Sequence, residues 1–294
     1  MSNQAAQGET AAAALVEEKG ADSAFPITVT HERGEVTFDK PATRVVIFSE
    51  EFIELAIALD IAPVGVGLWR NAPTRETFTS LPYLDEPIPG EPRYLDGEQP
   101  NLEAILTLQP DLILQHDYEG GNGDELYASF SQIAPTLAYS GGKVGAWKQA
   151  IRGLGQATGR SEQAEQVIAR YDARVAELQQ AMEPVVAMAP EVTVLLSWVD
   201  GAGVFDERFS IGGLMYMLGF RLTTPLGEAM DPSGYVDISA ETVAEISADT
   251  VMVLRFDSDQ QHPIDPLLNT LDIPVLHTEI YPGMGYTGPY TELI

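Results

Sequence analysis

The side chains best suited to holding a ligand sit just past short apolar runs. They are Phe48-Ser49, Trp69-Arg70, His116-Asp117-Tyr118, Trp198, Arg255-Phe256 and Tyr281. Aromatic rings offer flat apolar walls, and a guanidinium offers a rigid fork of donors for carboxylate-like oxygens. Together they suit capture of a bulky, partly aromatic, anionic guest. Bond-making chemistry has no comparable signal. The chain contains no Gly-x-Ser-x-Gly elbow, P-loop, His-Glu-x-x-His or Gly-x-Gly-x-x-Gly. GGNGD at 120–124 lacks the lysine of a phosphate loop and reads as a turn. With no cysteine, thiolate nucleophiles, disulfides and Cys-type zinc sites are excluded. The expectation is a binding protein: no enzyme, no catalytic residue, no resident cofactor and no metal ligand.

One unit occurs twice. PNLEAILTLQPDLIL (100–114) is echoed by ISAETVAEISADTVMVL (238–254). Glu103 matches Glu241 and Asp111 matches Asp249, with both copies 138 positions apart. Each reads as a helix with an acid in its first turn, then a buried strand. The two Asp residues read as shaping the helix-to-strand turn.

The intervening segments must position these residues. FPITVTHERGEVTFDKP alternates apolar and polar residues around Arg33-Gly34, a hairpin signal. RVVIF, PVGVGLW, DLILQ and PTLAYS read as short strands, with helices in EEFIELAIALDI, PNLEAILTLQP and ELYASFSQIA. That alternation implies a mainly parallel sheet covered on both faces. From Trp147 the pattern turns helical. Residues 161–183 hold one apolar stripe (Ala164, Val167, Ile168, Tyr171, Val175, Leu178), with Ser161 as N-cap and Pro184 as terminator. Then strand and helix alternate again: VTVLLSW, IGGLMYMLGF with Gly219 as C-cap, SAETVAEIS, DTVMVLRF, DPLLNTL and IPVLHTEIY. The predicted fold is α/β: two Rossmann-like lobes with mainly parallel sheets, joined by one long helix, with a ligand cleft between them. The divisions are 1–24, 25–160 (N-terminal lobe), 161–184 (connecting helix) and 185–294 (C-terminal lobe).

Composition narrows the partners. Sixteen Lys and Arg stand against 44 Asp and Glu, a formal charge of −28. A field of that sign repels nucleic acid and anionic lipid. No apolar run reaches the roughly 18–20 residues of a membrane span. Residues 1–24 have no basic segment before an apolar core, so they do not read as a signal peptide. They suit a flexible tether, either a plain tail or the lipid-anchored or secreted end of an exported protein.

The run GEVTFDKPATRVVIFSEEFIELAIALDIAPVGVG, the PNLEAILTLQPDLIL segment, the long helix after WKQAIRGLGQATGR, and ISAETVAEISADTVMVL together resemble the iron-siderophore substrate-binding proteins of ABC importers. These are the class III periplasmic binding proteins, and the resemblance runs from residue 25 to about 290. It implies a monomer in the periplasm or at the cell surface, touching the membrane only through an N-terminal lipid anchor. It implies that Glu103 and Glu241 dock into arginine-lined pockets of the two permease subunits, and that the ligand is a ferric siderophore. Ferric iron is hard and wants oxygen donors, which the siderophore itself supplies. The protein then needs only cations and aromatic walls: Arg70, Arg93 and Arg255 as donors, Trp69, Tyr118, Trp198 and Tyr281 as walls, with Arg208 and Tyr216 as second choices. The same fold carrying cobalamin or haem is an alternative. A bare zinc or manganese binder is another, although His31, His116, His262 and His277 are ill placed in sequence to share one shell.

Overall fold

The N-terminal alternation folds as the expected hairpin, β1 (Ile27–His31) paired antiparallel with β2 (Gly34–Phe38). The structure, a computed structural model, describes residues 25–68, 89–97, 99–117, 123–141, 145–226, 230–231, 233–255 and 260–279. The expected tether at 1–24 lies outside these residues.

The first sheet holds β3 (Val45–Phe48), β4 (Gly65–Leu68), β5 (Arg93–Asp96), β6 (Leu112–His116) and β7 (Thr136–Tyr139). All pairings are parallel, in the order β5-β4-β3-β6-β7. Its helices are α1 (Glu50–Ala58), α2 (Leu102–Thr107), α3 (Gly123–Phe130) and α4 (Trp147–Thr158). Alternate residues of one strand feed opposite layers: Val45 and Ile47 join the core under α1 and α4, Val46 and Phe48 the core under α2 and α3. Both faces of β3, β4, β6 and β7 are buried, so these strands read as near-continuous apolar runs, whereas the edge strand β5 (RYLD) is exposed at Arg93 and Asp96 and gave no such signal.

Helix α5 (Ser161–Met188) is longer than its sequence predicts. Pro184 sits inside it, although an interior proline removes a backbone donor and costs about 3 kcal/mol. Packing on both sides of the proline offsets that cost, because Met182 and Val186 press against the C-terminal core. At the other end Ala164, Val167, Ile168 and Tyr171 are buried in the N-terminal core, and Tyr171 meets Trp147 edge-on at 5.1 Å. One rod of 28 residues thus feeds two cores. Arg160, not Ser161, is its N-cap residue, because α4 closes on Gly159 in the left-handed region (φ 72°) and runs straight into α5.

The second sheet is mainly parallel, as predicted, with antiparallel pairings confined to one side. It comprises β8 (Glu191–Trp198), β9 (Gly201–Phe205), β10 (Arg221–Leu222), β11 (Tyr235–Ile238), β12 (Thr250–Arg255) and β13 (Val275–Glu279). The order is β11-β9-β8-β12-β13, with β10 beside the start of β8. β8, β12 and β13 are parallel, whereas β9 runs antiparallel to both β8 and β11. β9 and β11 escape the sequence reading because Gly201, Gly203, Gly234 and Asp237 interrupt the apolar pattern. Helices α6 (Ser210–Met217) and α7 (Asp265–Leu268) accompany this sheet. The expected helix in SAETVAEIS is instead a 3-10 turn, Ala240–Glu245.

Candidate site at the carboxyl edges of the two sheets

In each sheet the chain's excursions diverge to either side of one strand pair, β3/β6 in the first and β8/β12 in the second. Ligands of open α/β sheets bind off the carboxyl ends of the strands at that place. The residues there are Ser49, His116 and Asp117 in one half, and Ser197, Trp198 and Arg255 in the other.

In the N-terminal half Ser49 is fully buried and His116 nearly so, the latter edge-on to Phe52 at 5.6 Å. Phe48 faces inward and stacks on Phe130 at 4.5 Å, which makes it core. Asp117 is held from outside the sheet. Arg33, in the hairpin turn, donates through Nε (2.7 Å) and one terminal nitrogen (2.5 Å) to its two carboxylate oxygens. The other terminal nitrogen of Arg33 pairs with Asp124 in the first turn of α3. These bonds, Asp117 foremost, push the Arg33 guanidinium further toward its charged form. The turn is seated by Glu32 N–H donating to the Ala138 carbonyl (3.1 Å) and by His31, whose Nδ1 accepts from Ala138 N–H (3.4 Å). Burial pushes the His31 pKa down.

In the C-terminal half Arg255 does not stand open as a cation for a ligand, as its strand-end position predicts. It is 9% exposed and donates to both oxygens of Asp265, at 2.5 and 3.2 Å, and to the Gln260 carbonyl at 3.2 Å. The guanidinium in turn holds the Asp265 carboxyl below its usual range. Ser197 Oγ lies 2.7 Å from His262 Nδ1, both buried. That contact looks like a nucleophile and its base, but Asp265 accepts from the His262 backbone N–H (2.8 Å), and Ser197 is fully buried. Among the described residues no third side chain meets the His262 ring nitrogens, and with Ser197 Oγ buried the pair serves here as a hydrogen bond between β8 and the segment before α7. Trp198 is half-buried. Its ring lies across Gly201, where a Cβ would come within 2.5 Å of it, and packs on the C-terminal core.

The other expected residues divide. Trp69, Arg70, Tyr118 and Tyr281 lie outside the described residues. Arg93 opens β5 at the amino edge, opposite Gly65, and donates to Thr107 at 3.3 Å. It therefore stands about 10 Å along the strand from the carboxyl edge. Arg208 is tied to Asp206 through Nε (2.9 Å), and Tyr216 is exposed on α6. The four histidines are dispersed: His31 beside Tyr127 and Tyr139, His116 against Phe52, His262 on Ser197, His277 exposed on β13. Among the described residues no three His, Asp or Glu side chains gather as a metal-holding group.

The twinned acids occupy matched places. Helix α2 and the 3-10 turn both start at the carboxyl edge, and Glu103 and Glu241 are exposed in their first turns. The backbone N–H of Glu241 and the Ser239 hydroxyl hold the Glu241 carboxyl below its usual range, so it is ionised. Asp111 accepts from the N–H groups of Thr43 (3.0 Å) and Arg44 (2.7 Å), which lead into β3. Asp249 does the same for Glu191 (2.9 Å), which opens β8. Each carboxylate fastens the strand next to its own, as expected of turn-shaping groups.

A carboxyl-edge site in each half, one shared helix and this internal twinning agree with the comparisons. The Periplasmic binding protein family pattern matches residues 45–269. The chain belongs to that family. It is 27% identical over 240 residues to the probable siderophore-binding lipoprotein YfiY of Bacillus subtilis, covering 79% of this chain and 70% of that one. To the iron(3+)-hydroxamate-binding protein FhuD of the same organism it is 28% identical over 239 residues, covering 79% and 69%. Staphylococcus aureus SirA, solved with staphyloferrin B, superposes with a TM-score of 0.67 at 22% identity over 84% of each chain. That likeness establishes the two-lobe fold for this family member.

Proposed function

We propose that this chain is the extracytoplasmic binding component of an ABC importer and that its cargo is a ferric siderophore. The observation that carries the reading is its likeness, over 79% of its length, to relatives named for siderophore and iron(3+)-hydroxamate binding. The structure is compatible, with carboxyl-edge sites on two lobes that share one helix. The protein performs no reaction on its cargo; it captures the chelate in the periplasm or at the cell surface and hands it on. Trp198 is proposed as one wall of the site, with Trp69, Arg70, Tyr118 and Tyr281 completing it.

Delivery is assigned to Glu103 and Glu241. An exposed carboxylate in the first turn of a helix stays ionised and can accept a guanidinium bidentately. Leu102 and Leu106, 41% and 59% exposed beside Glu103, supply apolar contact around the ion pair. Two such acids, one per half, fit a permease built of two similar subunits. The chain is proposed to act as a monomer, and a lipid anchor before residue 25 would hold it at the membrane.

Titration followed by tryptophan fluorescence, with ferric trihydroxamate, ferric triscatecholate and ferric citrate beside haem and cobalamin, tests the cargo. Saturable binding of one ferric chelate class is expected. Binding of haem, cobalamin, zinc or manganese with none of the ferric chelates would overturn the reading.

A further inference from the structure

Asp117 and Arg255 stand at the same place in the two halves. Each lies at the carboxyl end of the strand that follows a twinned acid, and the two are 138 positions apart, like the acids themselves. Their charges are opposite, yet each is closed by a forked guanidinium–carboxylate pair, and in both halves the pair reaches the next helix. In the first half Arg33 binds Asp117 at the strand end and Asp124 in the first turn of α3. In the second, Arg255 at the strand end binds Asp265, the first residue of α7, and the Gln260 carbonyl between them. A planar fork fixes both separation and orientation of what it joins, which a single point charge does not.

We propose that these two ion-pair clamps are positioning devices for the ligand site: Arg33 with Asp117 and Asp124, and Arg255 with Asp265, set the strand-to-helix crossovers at the two carboxyl edges. The clamping residues touch no cargo. They act by fixing each carboxyl-edge strand end against the helix that follows it, so breaking one loosens that junction and weakens capture. The inference rests on the proposed function for its binding readout, but not for its structural one.

The test uses the full chain with Arg33→Gln, Arg33→Lys, Asp265→Asn and Arg255→Lys. Arg152→Gln serves as control, because it breaks a similar pair with Glu165 (2.7 Å) between α4 and α5, away from the edges. Hydrogen exchange by mass spectrometry reads peptides 117–124 and 255–265. Arg33→Gln is expected to speed exchange in the first peptide alone, Asp265→Asn in the second alone, and Arg152→Gln in neither. Titration with ferrioxamine B and ferric citrate is expected to show dissociation constants raised roughly three- to tenfold by either edge variant, with Arg33→Lys in between. Should Asp265→Asn fail to fold, Arg255→Lys, which keeps the charge and loses the fork, replaces it. Unchanged exchange in 117–124 for Arg33→Gln overturns the clamp even where neither probe binds the parent protein, which separates its failure from failure of the functional reading. Binding by Arg33→Gln equal to that of Arg152→Gln overturns its role in capture.

Discussion

The two copies of the repeated unit share their anchors and differ in what joins them. In the first half Asn101 caps α2, its side chain accepting from Ala104 N–H at 3.0 Å. Arg44 Nε closes the far end on the Leu108 and Gln109 carbonyls. In the second, Ser239 makes no such cap and turns to the Thr242 hydroxyl (3.1 Å), and β-branched Thr242 and Val243 follow. Each copy holds two β-branched residues, Ile105 and Thr107 against Thr242 and Val243, so the cap is what differs: the capped segment winds as an α-helix, and the uncapped one tightens into a 3-10 turn. The acid at the tip and the aspartate at the base survive that change. The copies are therefore held alike where the unit meets a neighbouring strand or faces outward, and are free to differ between.

The contrast can be broken at four depths. The largest effect is expected in the strands. Ile113 and Val251 occupy the same register and are fully buried. Ile113→Ala should cost about 2–5 kcal/mol, and Val251→Ala about 1 kcal/mol less, one methylene fewer, by urea denaturation. Next come the basal aspartates. Asp111→Ala removes the acceptor for two backbone N–H groups and the Thr43 hydroxyl, Asp249→Ala the acceptor for Glu191 N–H. A loss of about 2–3 kcal/mol at Asp111 and about 1 kcal/mol at Asp249 is expected, and equal losses would show that the two copies are fastened equally.

Third are the tips. Glu103→Ala and Glu241→Ala should leave chelate affinity unchanged and lower uptake by a reconstituted transporter about tenfold each, the equivalent of ~1.4 kcal/mol of docking. A defect in one copy alone would mean that the permease reads the halves differently. The smallest effect separates the halves by pH. His31 is buried in the N-terminal half with its pKa pushed below 6.5, chiefly by burial, so the unfolded chain binds its proton more tightly. Its contribution is present above pH 6.5 and is lost as pH falls through the depressed value. Thermal melts between pH 7 and 5 should decline, and His31→Gln should flatten that decline.

Legibility followed the range of the interactions. The repeat was readable because its anchors are local: an acid in a first turn, an aspartate before an apolar strand, both at fixed spacing. The parallel N-terminal sheet was readable because burial on both faces leaves continuous apolar runs such as VVIF. β9 and β11 were not, since glycines take the places where Trp198 and Tyr235 lie across the backbone, and those contacts come from other strands. The helix across Pro184 was not, because its support comes from the C-terminal core rather than from the helix itself.

The site shows the same division. Residue type and strand-end position marked Asp117, Trp198 and Arg255. What these charges face was settled only by the fold. Arg33 lies 84 residues from Asp117, and Asp265 lies in a helix that sequence alone does not aim at Arg255. Periodicity and spacing fix which residues share a face and which positions correspond. Whether a guanidinium stays open for a guest or is consumed by a carboxylate depends on long-range packing, and nothing in the local pattern encodes that partner.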